Sequence, residues 1–251
     1  MDLLEHNRAA WDGYVEKGDQ WTVRVSAEVI EAARNGEWNV VLTPKKAVPH
    51  EWFPDLGGAK LLGLGCGGGQ QGPIFAALGA DVTIFDNSEK QLGQDRRVSD
   101  EFGLGITTVQ GDMRDLSVFD DESFDVIFNP CSILFVDDIR KVWKECFRVL
   151  RPTGILMTGL MNPLCYQLDE DTLTLIYKQP FSDLHSLPAE KLAELKQTNE
   201  ALTFGHSFAD QIGGQLDAGF MLTAIFEDDW GGESKFDEYF PSFMATRAVR
   251  K

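Results

Sequence analysis

The sequence is poor in cysteine and histidine and has no long apolar segment. It contains four cysteines and four histidines among 251 residues, and no two cysteines have C-x-x-C spacing. This composition favours neither a disulfide framework nor a metal site, and reduced thiols in the cytoplasm are its simplest interpretation. No apolar run reaches the roughly 18 residues that a transmembrane helix needs, and the first residues lack the basic and apolar regions of a signal peptide. We therefore expect a cytoplasmic protein without a metal and without membrane association.

Basic residues are also scarce. The chain has 23 Lys and Arg against 40 Asp and Glu, a formal net charge of −17. An acidic surface repels the phosphate backbone of nucleic acids, so we expect no nucleic-acid partner. Hydrophobic residues make up 43% of the chain, which is enough for a substantial core. The length fits one large α/β domain or a domain with a small cap.

Glycine, by contrast, is concentrated in one segment. Residues 60–72 read Lys-Leu-Leu-Gly-Leu-Gly-Cys-Gly-Gly-Gly-Gln-Gln-Gly, an apolar strand followed by a glycine-dense turn and then a helical pattern. Glycines let a ligand approach the backbone closely, and the N–H groups of such a turn beside a helix N-terminus favour an anionic group. Open α/β sheets bind nucleotide-like cofactors at the carboxyl ends of their strands. The segment therefore predicts a cofactor site rather than a simple surface loop.

Two kinds of cofactor fit this turn. The spacing Gly63-x-Gly65-x-x-Gly68, with Asp86 downstream, matches the dinucleotide-binding pattern G-x-G-x-x-G. Residues 64–69 instead resemble motif I of the class I S-adenosylmethionine-dependent methyltransferases, D-x-G-x-G-x-G. Four further segments resemble motifs of that family in the same order, namely residues 82–88, 111–113, 123–130 and 147–154. Five ordered motifs over residues 57–160 favour the methyltransferase family over an NAD-binding protein.

The resemblance implies which residues bind the cofactor. Asp86 would accept hydrogen bonds from the ribose hydroxyls, and Asp112 and Met113 would contact the adenine. The alternatives are helix capping for Asp86 and plain turns at residues 111–112 and 129–130. The residues predicted to bind S-adenosylmethionine, or its product S-adenosylhomocysteine, are Gly63, Leu64, Gly65, Cys66, Gly67, Gly68, Gly69, Gln70, Asp86, Asn87, Ser88, Gln91, Gly111, Asp112, Met113, Asn129 and Pro130.

One position departs from the family pattern. Where the family usually has an acid, this chain has Gly63. In the family that acid helps to order the motif I turn and the ammonium end of the cofactor. Another acceptor, a water molecule or a group from the N-terminal segment would have to replace it, unless the domain is non-catalytic.

Apolar runs predict an alternating order of strands and helices. Strands are expected near residues 60–64, 81–86, 106–110, 124–128, 155–160, 220–228 and 242–248. Helices are expected at 26–35, 139–147 and 207–217, and Ser88 with Gln91 forms a candidate capping box. We predict a Rossmann-like α/β fold of the class I methyltransferase type, with a mostly parallel sheet, an antiparallel C-terminal strand and helices on both faces.

The chain is predicted to have four parts. They are an N-terminal helical lid (1–56), a cofactor-binding core (57–160), an inserted substrate-recognition segment (161–205) and a C-terminal part that completes the sheet (206–251). The insert is predicted to contain a strand at 173–177 and a helix at 188–199. Four of the six tryptophans lie in the first part, where they fit either ordinary packing or a lid over cofactor and acceptor.

The resemblance implies methyl transfer by in-line displacement, with acceptor, methyl carbon and sulfur held at a separation of about 3–3.5 Å. A small molecule is the expected acceptor. An RNA or protein substrate and a non-catalytic S-adenosylmethionine- or NAD-binding protein are the alternatives, and a homodimer stays open. His206 is the favoured general base, ahead of His50 and His185. Trp11, Tyr14, Trp21 and His50 are the residues predicted for the substrate side and the lid.

Overall fold

A central sheet of seven strands organises the part of the chain that the computed structural model describes, residues 2–251. The strands of this sheet and of a small second pair are β1 (Lys60–Leu64), β2 (Asp81–Asp86), β3 (Thr107–Gln110), β4 (Phe124–Asn129), β5 (Leu150–Met161), β6 (Phe181–Ser182), β7 (Phe204–Gly205), β8 (Phe220–Asp228) and β9 (Phe243–Arg250). The large sheet has the order β3-β2-β1-β4-β5-β9-β8, and β6 pairs with β7.

The first five strands are parallel, and β9 is antiparallel to both of its neighbours, β5 and β8. The strand order reverses at β1, which has β2 on one side and β4 on the other. At such a reversal the loops that follow the two neighbouring strands diverge and leave a crevice at the carboxyl ends. The predicted mostly parallel, Rossmann-like sheet with an antiparallel C-terminal strand is confirmed, and the glycine turn after β1 lies at the crevice.

Helices connect the strands and cover the sheet. They are α1 (Leu3–Lys17), α2 (Ala27–Arg34), α3 (Gln71–Ala77), α4 (Glu89–Phe102), α5 (Ile139–Val149), α6 (Leu164–Gln167), α7 (Asp183–Ser186), α8 (Ala189–Thr198) and α9 (Gly214–Ala218), with a π-helical turn at Ala209–Gly213. Helix α1 is capped by Asp2, whose side chain accepts from two backbone N–H groups. Across residues 2–251, no helix has the length and apolar character that crossing a bilayer requires.

Hydrophobic side chains cover both faces of the sheet. On one face, α2, α3 and the segment 37–56 pack against Leu61, Val126 and Met157. On the other face, the apolar stripe of α5 packs against Leu62 and Leu156. Because both faces are buried, the central strands are continuous apolar runs rather than alternating ones. This continuity is what allowed the sequence pattern to locate them.

The N-terminal part shares this core. Val40, Leu42, Val48 and Trp52 are buried and belong to the same hydrophobic cluster as the strands. Residues on both sides of the predicted boundary at residue 56 therefore contribute to one hydrophobic cluster. The division into four parts, with an N-terminal lid, stays a prediction.

Three local predictions differ from the structure. Residues 173–177 do not form a strand, and Leu175 makes only an isolated bridge with Leu168. Leu175 is 75% exposed, so its strand propensity finds no sheet to join. Strand β5 begins at Leu150 rather than near 155, and the helix expected at 207–217 starts with a π-helical turn.

The capping box at α4 is only half formed. Ser88 Oγ accepts the Gln91 N–H, as predicted. The Ser88 N–H donates to Asp86 Oδ1 at 2.9 Å instead of to the Gln91 side chain. The Gln91 side chain is consequently left for another partner.

Candidate active site

The glycine turn folds against the end of β2. The Gly65 N–H donates to the Phe85 carbonyl at 2.8 Å, and the Gly67 N–H donates to Asp86 Oδ2 at 2.9 Å. These bonds bring the turn so close to its neighbours that side chains would not fit. A Cβ added at Gly67 would lie 2.7 Å from Gln91 Cβ, which is below any ordinary carbon–carbon contact. Glycine is therefore required here by space.

The next two N–H groups of the turn have a buried acid as their acceptor. The N–H groups of Gly68 and Gly69 both donate to Asp95 Oδ2, at 3.0 and 3.1 Å. Asp95 belongs to α4 and is fully buried. Burial, aided by the nearby charge of Asp86, raises the pKa of the Asp95 carboxyl to about 8. Sequence reasoning missed this residue because no motif marks it.

A cavity of about 310 Å³ opens beside this turn, at the carboxyl ends of β1, β2 and β4. It brings together most of the residues predicted to bind the cofactor, together with two of the predicted lid tryptophans. These lining residues are Gly65, Cys66, Gly67, Gln70, Asp86, Asn87, Gln91, Gly111, Asp112, Met113, Pro130, Trp11 and Trp21.

Asp86 supplies acceptor oxygens to this cavity, and Gln91 lines it and has a buried, unpaired amide oxygen. Each oxygen of Asp86 accepts one backbone N–H, from Ser88 and from Gly67, and has capacity for a further bond. Burial raises the pKa of Asp86 above its ordinary value, against these hydrogen bonds, which lower it. Gln91 is only 4% exposed and its Oε1 has no hydrogen-bond partner within the described structure. A buried, unpaired acceptor is costly, so Gln91 Oε1 indicates a ligand donor.

Asp112 is not a free acceptor. Oδ1 accepts from the Arg114 backbone N–H at 2.9 Å and from Nε at 3.0 Å, and Oδ2 accepts from Nε at 2.9 Å and from Nη2 at 2.6 Å. A further nitrogen of Arg114 binds Asp137 at 2.5 Å. This pairing holds the loop after β3 in place, and each carboxylate oxygen of Asp112 already has two donors. Met113 lines the cavity beside it.

The remaining predicted residues lie outside the cavity lining. Asn129 is fully buried, and its amide donates to the Leu64 carbonyl at 2.6 Å while its Oδ1 accepts from Thr158. Asn129 therefore ties β1, β4 and β5 together. Its side-chain amide is not available to bind an amino group of the methyl-accepting substrate. The others outside the lining are Gly63, Leu64, Gly68, Gly69, Ser88, Tyr14, His50 and His206.

None of the chain's four histidines lines the cavity. His206 is buried, its Nε2 lies 2.7 Å from the Val136 carbonyl, and burial lowers its pKa. Since a carbonyl only accepts, this nitrogen carries its hydrogen. His50 stacks on Trp38 at 4.1 Å between ring centres. His206 lies outside the cavity lining and its Nε2 donates to the carbonyl of the lining residue Val136, so its role as a general base stays a prediction.

Gly63 cannot be replaced by the family's usual acid without displacing neighbours. A Cβ at this position would lie 2.5 Å from Ile84 Cδ1 and 3.2 Å from Cys66 Cβ. A carboxylate there would also be buried among apolar groups. The chain has closed the space that this acid occupies in the family pattern.

The rest of the cavity wall is largely apolar and was not identified from the sequence. These residues come from α1, the segment 41–44, the start of α3, the ends of β2 and β5, the segments after β3, β4 and β8, and the start of β9, so no local motif links them. They are Leu3, Leu4, Val41, Leu42, Pro44, Phe85, Cys131, Leu134, Phe135, Val136, Met161, Trp230 and Phe243, with Asn7, Thr43, Gln71, Arg114 and Ser132 as polar members. Apolar residues at strand ends were the only available signal.

These features fit S-adenosylmethionine. The turn offers a surface that added Cβ atoms would fill, Asp86 offers two acceptor oxygens, and Gln91 Oε1 is buried without a partner. A hydroxyl- and ammonium-bearing ligand supplies the donors that such acceptors lack. The glycine turn, Asp86, Gln91 and the loop at Asp112 and Met113 would together hold this cofactor.

Comparison with known proteins agrees with this assignment. The methyltransferase domain family Methyltransf_11 matches residues 62–158. The chain is 49% identical over 253 residues to an uncharacterized methyltransferase, YbaJ, of Bacillus subtilis (strain 168), with 99% of this chain and 98% of the relative covered. It is also 32% identical to a ubiquinone biosynthesis O-methyltransferase of Actinobacillus pleuropneumoniae serotype 7 (strain AP76), over 43% of this chain and 47% of that relative.

Solved structures share the fold. An S-adenosylmethionine-dependent methyltransferase from Mesorhizobium loti has a TM-score of 0.59 at 18% identity, covering 80% of this chain and 94% of its own. A 1,6-didemethyltoxoflavin-N1-methyltransferase from Burkholderia thailandensis, with bound S-adenosylhomocysteine, has a TM-score of 0.62 at 13% identity, covering 98% and 88%. With its ordered motifs, its sheet and a relative that matches almost end to end, this chain belongs to the S-adenosylmethionine-dependent methyltransferases.

Proposed function

We propose that this methyltransferase acts on a small, apolar and uncharged molecule whose reacting atom needs no basic side chain from the protein. The observation that carries this proposal is the composition of the cavity wall beyond the cofactor residues. It consists of aliphatic and aromatic side chains such as Leu42, Phe135, Met161, Trp230 and Phe243. Such a wall favours an acceptor by burial of apolar surface and offers little to a charged one.

The polar groups of the wall are already engaged. The only lining cation within residues 2–251, Arg114, is paired with Asp112 and Asp137. Thr43 donates its hydroxyl to Asp228 at 2.7 Å. Asn7 donates to the Leu202 carbonyl at 3.0 Å. An acceptor with a carboxylate or phosphate would therefore lose its hydration without gaining a free partner.

The two cysteines that line the cavity are unsuited to removing a proton at neutral pH, and the lining carboxyl groups of Asp86 and Asp112 already accept hydrogen bonds from the backbone and from Arg114. Burial raises the pKa of the Cys131 thiol to about 12 and that of Cys66 above its ordinary value. We therefore expect the reacting atom of the methyl acceptor to be nucleophilic in its uncharged form, as an aromatic nitrogen is. S-adenosylmethionine, when bound, supplies a methyl group on a positively charged sulfur. That sulfur is a good leaving group, because it departs as a neutral thioether.

The protein's own part in the reaction is positioning and exclusion of water. The turn at Gly65 and Gly67 and the acceptors Asp86 and Gln91 orient the cofactor, and the apolar wall orients the acceptor. Trp11 of α1 packs edge-on against Phe135 at 5.1 Å and closes the cavity on the N-terminal side. Holding the reacting groups in line is the main contribution that such a displacement requires.

Further support comes from partly matching relatives, which are named for ubiquinone biosynthesis and for sterol 24-C-methylation, both small-molecule reactions. The net charge of −17 opposes a nucleic-acid substrate. We also propose a cytoplasmic location, which the four unpaired cysteines of the described residues support.

A two-step experiment tests this function. Calorimetric titration with S-adenosylhomocysteine first establishes cofactor binding, with NAD as the control that should not bind. A panel of apolar aromatic N-heterocycles, matched to carboxylated analogues of similar size, is then assayed for release of S-adenosylhomocysteine. Turnover of the uncharged members and none of the carboxylated ones is expected. Preference for the carboxylated analogues, or for RNA or a protein, would contradict the proposal.

A further inference from the structure

Gly63 stands in this chain where the family usually has an acid before the glycine turn, and a side chain there would have to displace Ile84. At position 63 a Cβ would lie 2.5 Å from Ile84 Cδ1, and Cys66 Cβ closes the other side at 3.2 Å. Yet the N–H groups of the turn still need acceptors, because unpaired buried donors are costly. The turn must therefore be held from another direction.

Asp95 supplies that acceptor from α4. A single oxygen, Oδ2, accepts the N–H groups of Gly68 and Gly69 at 3.0 and 3.1 Å. Immediately before them, Asp86 Oδ2 accepts the Gly67 N–H at 2.9 Å. Three consecutive N–H groups of the turn thus point to two carboxyl groups.

Asp95 is an unusual residue for the buried side of a helix. It is fully buried, and its second oxygen, Oδ1, has no hydrogen-bond partner within the described structure. Of the other buried positions of α4, Leu92 and Val98 are aliphatic, and the polar Gln91 and Ser99 are uncharged. Burying a carboxyl group costs free energy, so a residue with only a packing role would be aliphatic. The carboxyl is explained by the two N–H groups that it binds.

Helix α4 also carries Gln91, one turn before Asp95 on the same face. The Gln91 carbonyl accepts the Gly68 N–H at 3.1 Å, in addition to the bond with Asp95. The residues on either side of the held pair, Gly67 and Gln70, line the cavity. Fixing the pair from α4 therefore fixes the part of the turn that meets the ligand.

We propose that Asp95 performs the task of the missing motif I acid: it is a positioning residue that orders the turn which receives the methionine end of S-adenosylmethionine. It acts through Gly68 and Gly69, which do not line the cavity themselves. The turn is thus supported from the helix after β2 rather than from the end of β1.

The test compares two ligands that differ at the methionine end. Adenosine fills only the adenine and ribose part of the site, whereas S-adenosylhomocysteine also occupies the part at the glycine turn. In Asp95→Ala, the Kd of S-adenosylhomocysteine should rise at least about tenfold, while the Kd of adenosine changes less than about threefold. Hydrogen exchange of the amides at residues 68–69 should become faster.

Asp95→Asn is the conservative variant. Its side-chain oxygen can still accept both N–H groups, so it should recover most of the affinity for S-adenosylhomocysteine. Asp100→Ala, at an exposed position of the same helix, is the matched control and should leave both ligands unaffected. If Asp95→Ala does not fold, Asp95→Ser, which keeps a polar group but lacks the reach, takes its place.

The proposal is overturned if the Ala or Ser variant binds S-adenosylhomocysteine as tightly as the wild type. It is also overturned if both ligands lose affinity equally, because that result indicates a general structural role for Asp95. Failure of the wild type to bind S-adenosylhomocysteine would instead contradict the cofactor assignment itself, so the two failures are distinguishable.

Discussion

Asp86 combines two tasks in this structure. Its Oδ1 accepts the Ser88 N–H at the start of α4, and its Oδ2 accepts the Gly67 N–H of the glycine turn. The same carboxylate lines the cavity. The capping and ligand-binding interpretations of Asp86 are therefore compatible. Measuring the stability of the fold and the affinity for the cofactor separately shows how much Asp86 contributes to each.

We expect Asp86→Ala to weaken binding of S-adenosylhomocysteine by about 1.5–3 kcal/mol, at least about tenfold in Kd, the range for hydrogen bonds to a charged group. The melting temperature should also fall, because two N–H groups lose their acceptor. Calorimetric titration and thermal unfolding measure the two effects. Asp81→Ala, at the exposed start of the same strand, is the control. A lower melting temperature with unchanged affinity would leave Asp86 with the capping role alone.

Restoring the family's acid should harm this protein. Gly63→Asp places a Cβ 2.5 Å from Ile84 Cδ1 and a carboxylate in an apolar setting, and overpacking alone costs about 1–3 kcal/mol of stability. Gly63→Ala, which adds the Cβ without the charge, separates the two causes. In thermal unfolding, we expect the melting temperature to be highest for the wild type, lower for Gly63→Ala and lowest for Gly63→Asp. If Gly63→Asp binds the cofactor more than about tenfold more tightly than the wild type, the absence of the family's acid weakens cofactor binding in this chain.

At the scale of elements, α1 is attached to the core mainly by polar bonds. Asp12 Oδ1 accepts from Ser88 Oγ at 2.6 Å and from the Lys90 N–H at 3.1 Å. Asn87 Nδ2 donates to the Leu4 carbonyl at 2.9 Å. Only Asn7 and Ala10 of this helix are buried. A helix with little buried apolar surface that nonetheless walls the cavity has the properties of a lid.

Two truncations should therefore behave differently. Removal of residues 1–18 deletes α1 and should leave a cooperatively folded protein with much weaker binding of S-adenosylhomocysteine. Removal of residues 1–54 also deletes Val40, Leu42, Val48 and Trp52 from the hydrophobic cluster and should abolish cooperative unfolding. Circular dichroism melts and calorimetric titration of both proteins check this. If the protein without α1 binds the cofactor as tightly as the whole chain, the helix has only a packing role.

The sequence was informative where a local pattern reflects the whole fold. Strands buried on both faces are continuous apolar runs, and the glycine turn carries its spacing in adjacent residues, so both were predictable. Asp95, Trp230 and Phe243 were not, because they reach the site through tertiary packing across distant segments. Residues 173–177 show the opposite case, in which strand propensity was present but no partner strand was available.

For the whole molecule, buried titratable groups make stability depend on pH in opposite directions. Burial raises the pKa of Asp95 from its ordinary 3.8 to about 8, with Asp86 and Cys66 as the titratable neighbours around the glycine turn. Stability from such a carboxyl is fully present below its ordinary pKa and is lost as pH rises towards 8. Burial lowers the pKa of His206 below 6.5, so its contribution is lost as pH falls below that value.

The variants Asp95→Asn and His206→Gln should separate these two contributions. The melting temperature of Asp95→Asn minus that of the wild type should increase as pH rises from 5 to 8. The wild type must ionise a buried carboxyl over this range, and the amide does not. The melting temperature of His206→Gln, relative to the wild type, should increase as pH falls from 8 to 5, because the wild type must protonate a buried imidazole over this range and the amide does not. Differential scanning calorimetry across this interval measures both. A constant difference for Asp95→Asn would mean that Asp95 ionises like an exposed carboxyl, and its burial would then not control the pH dependence.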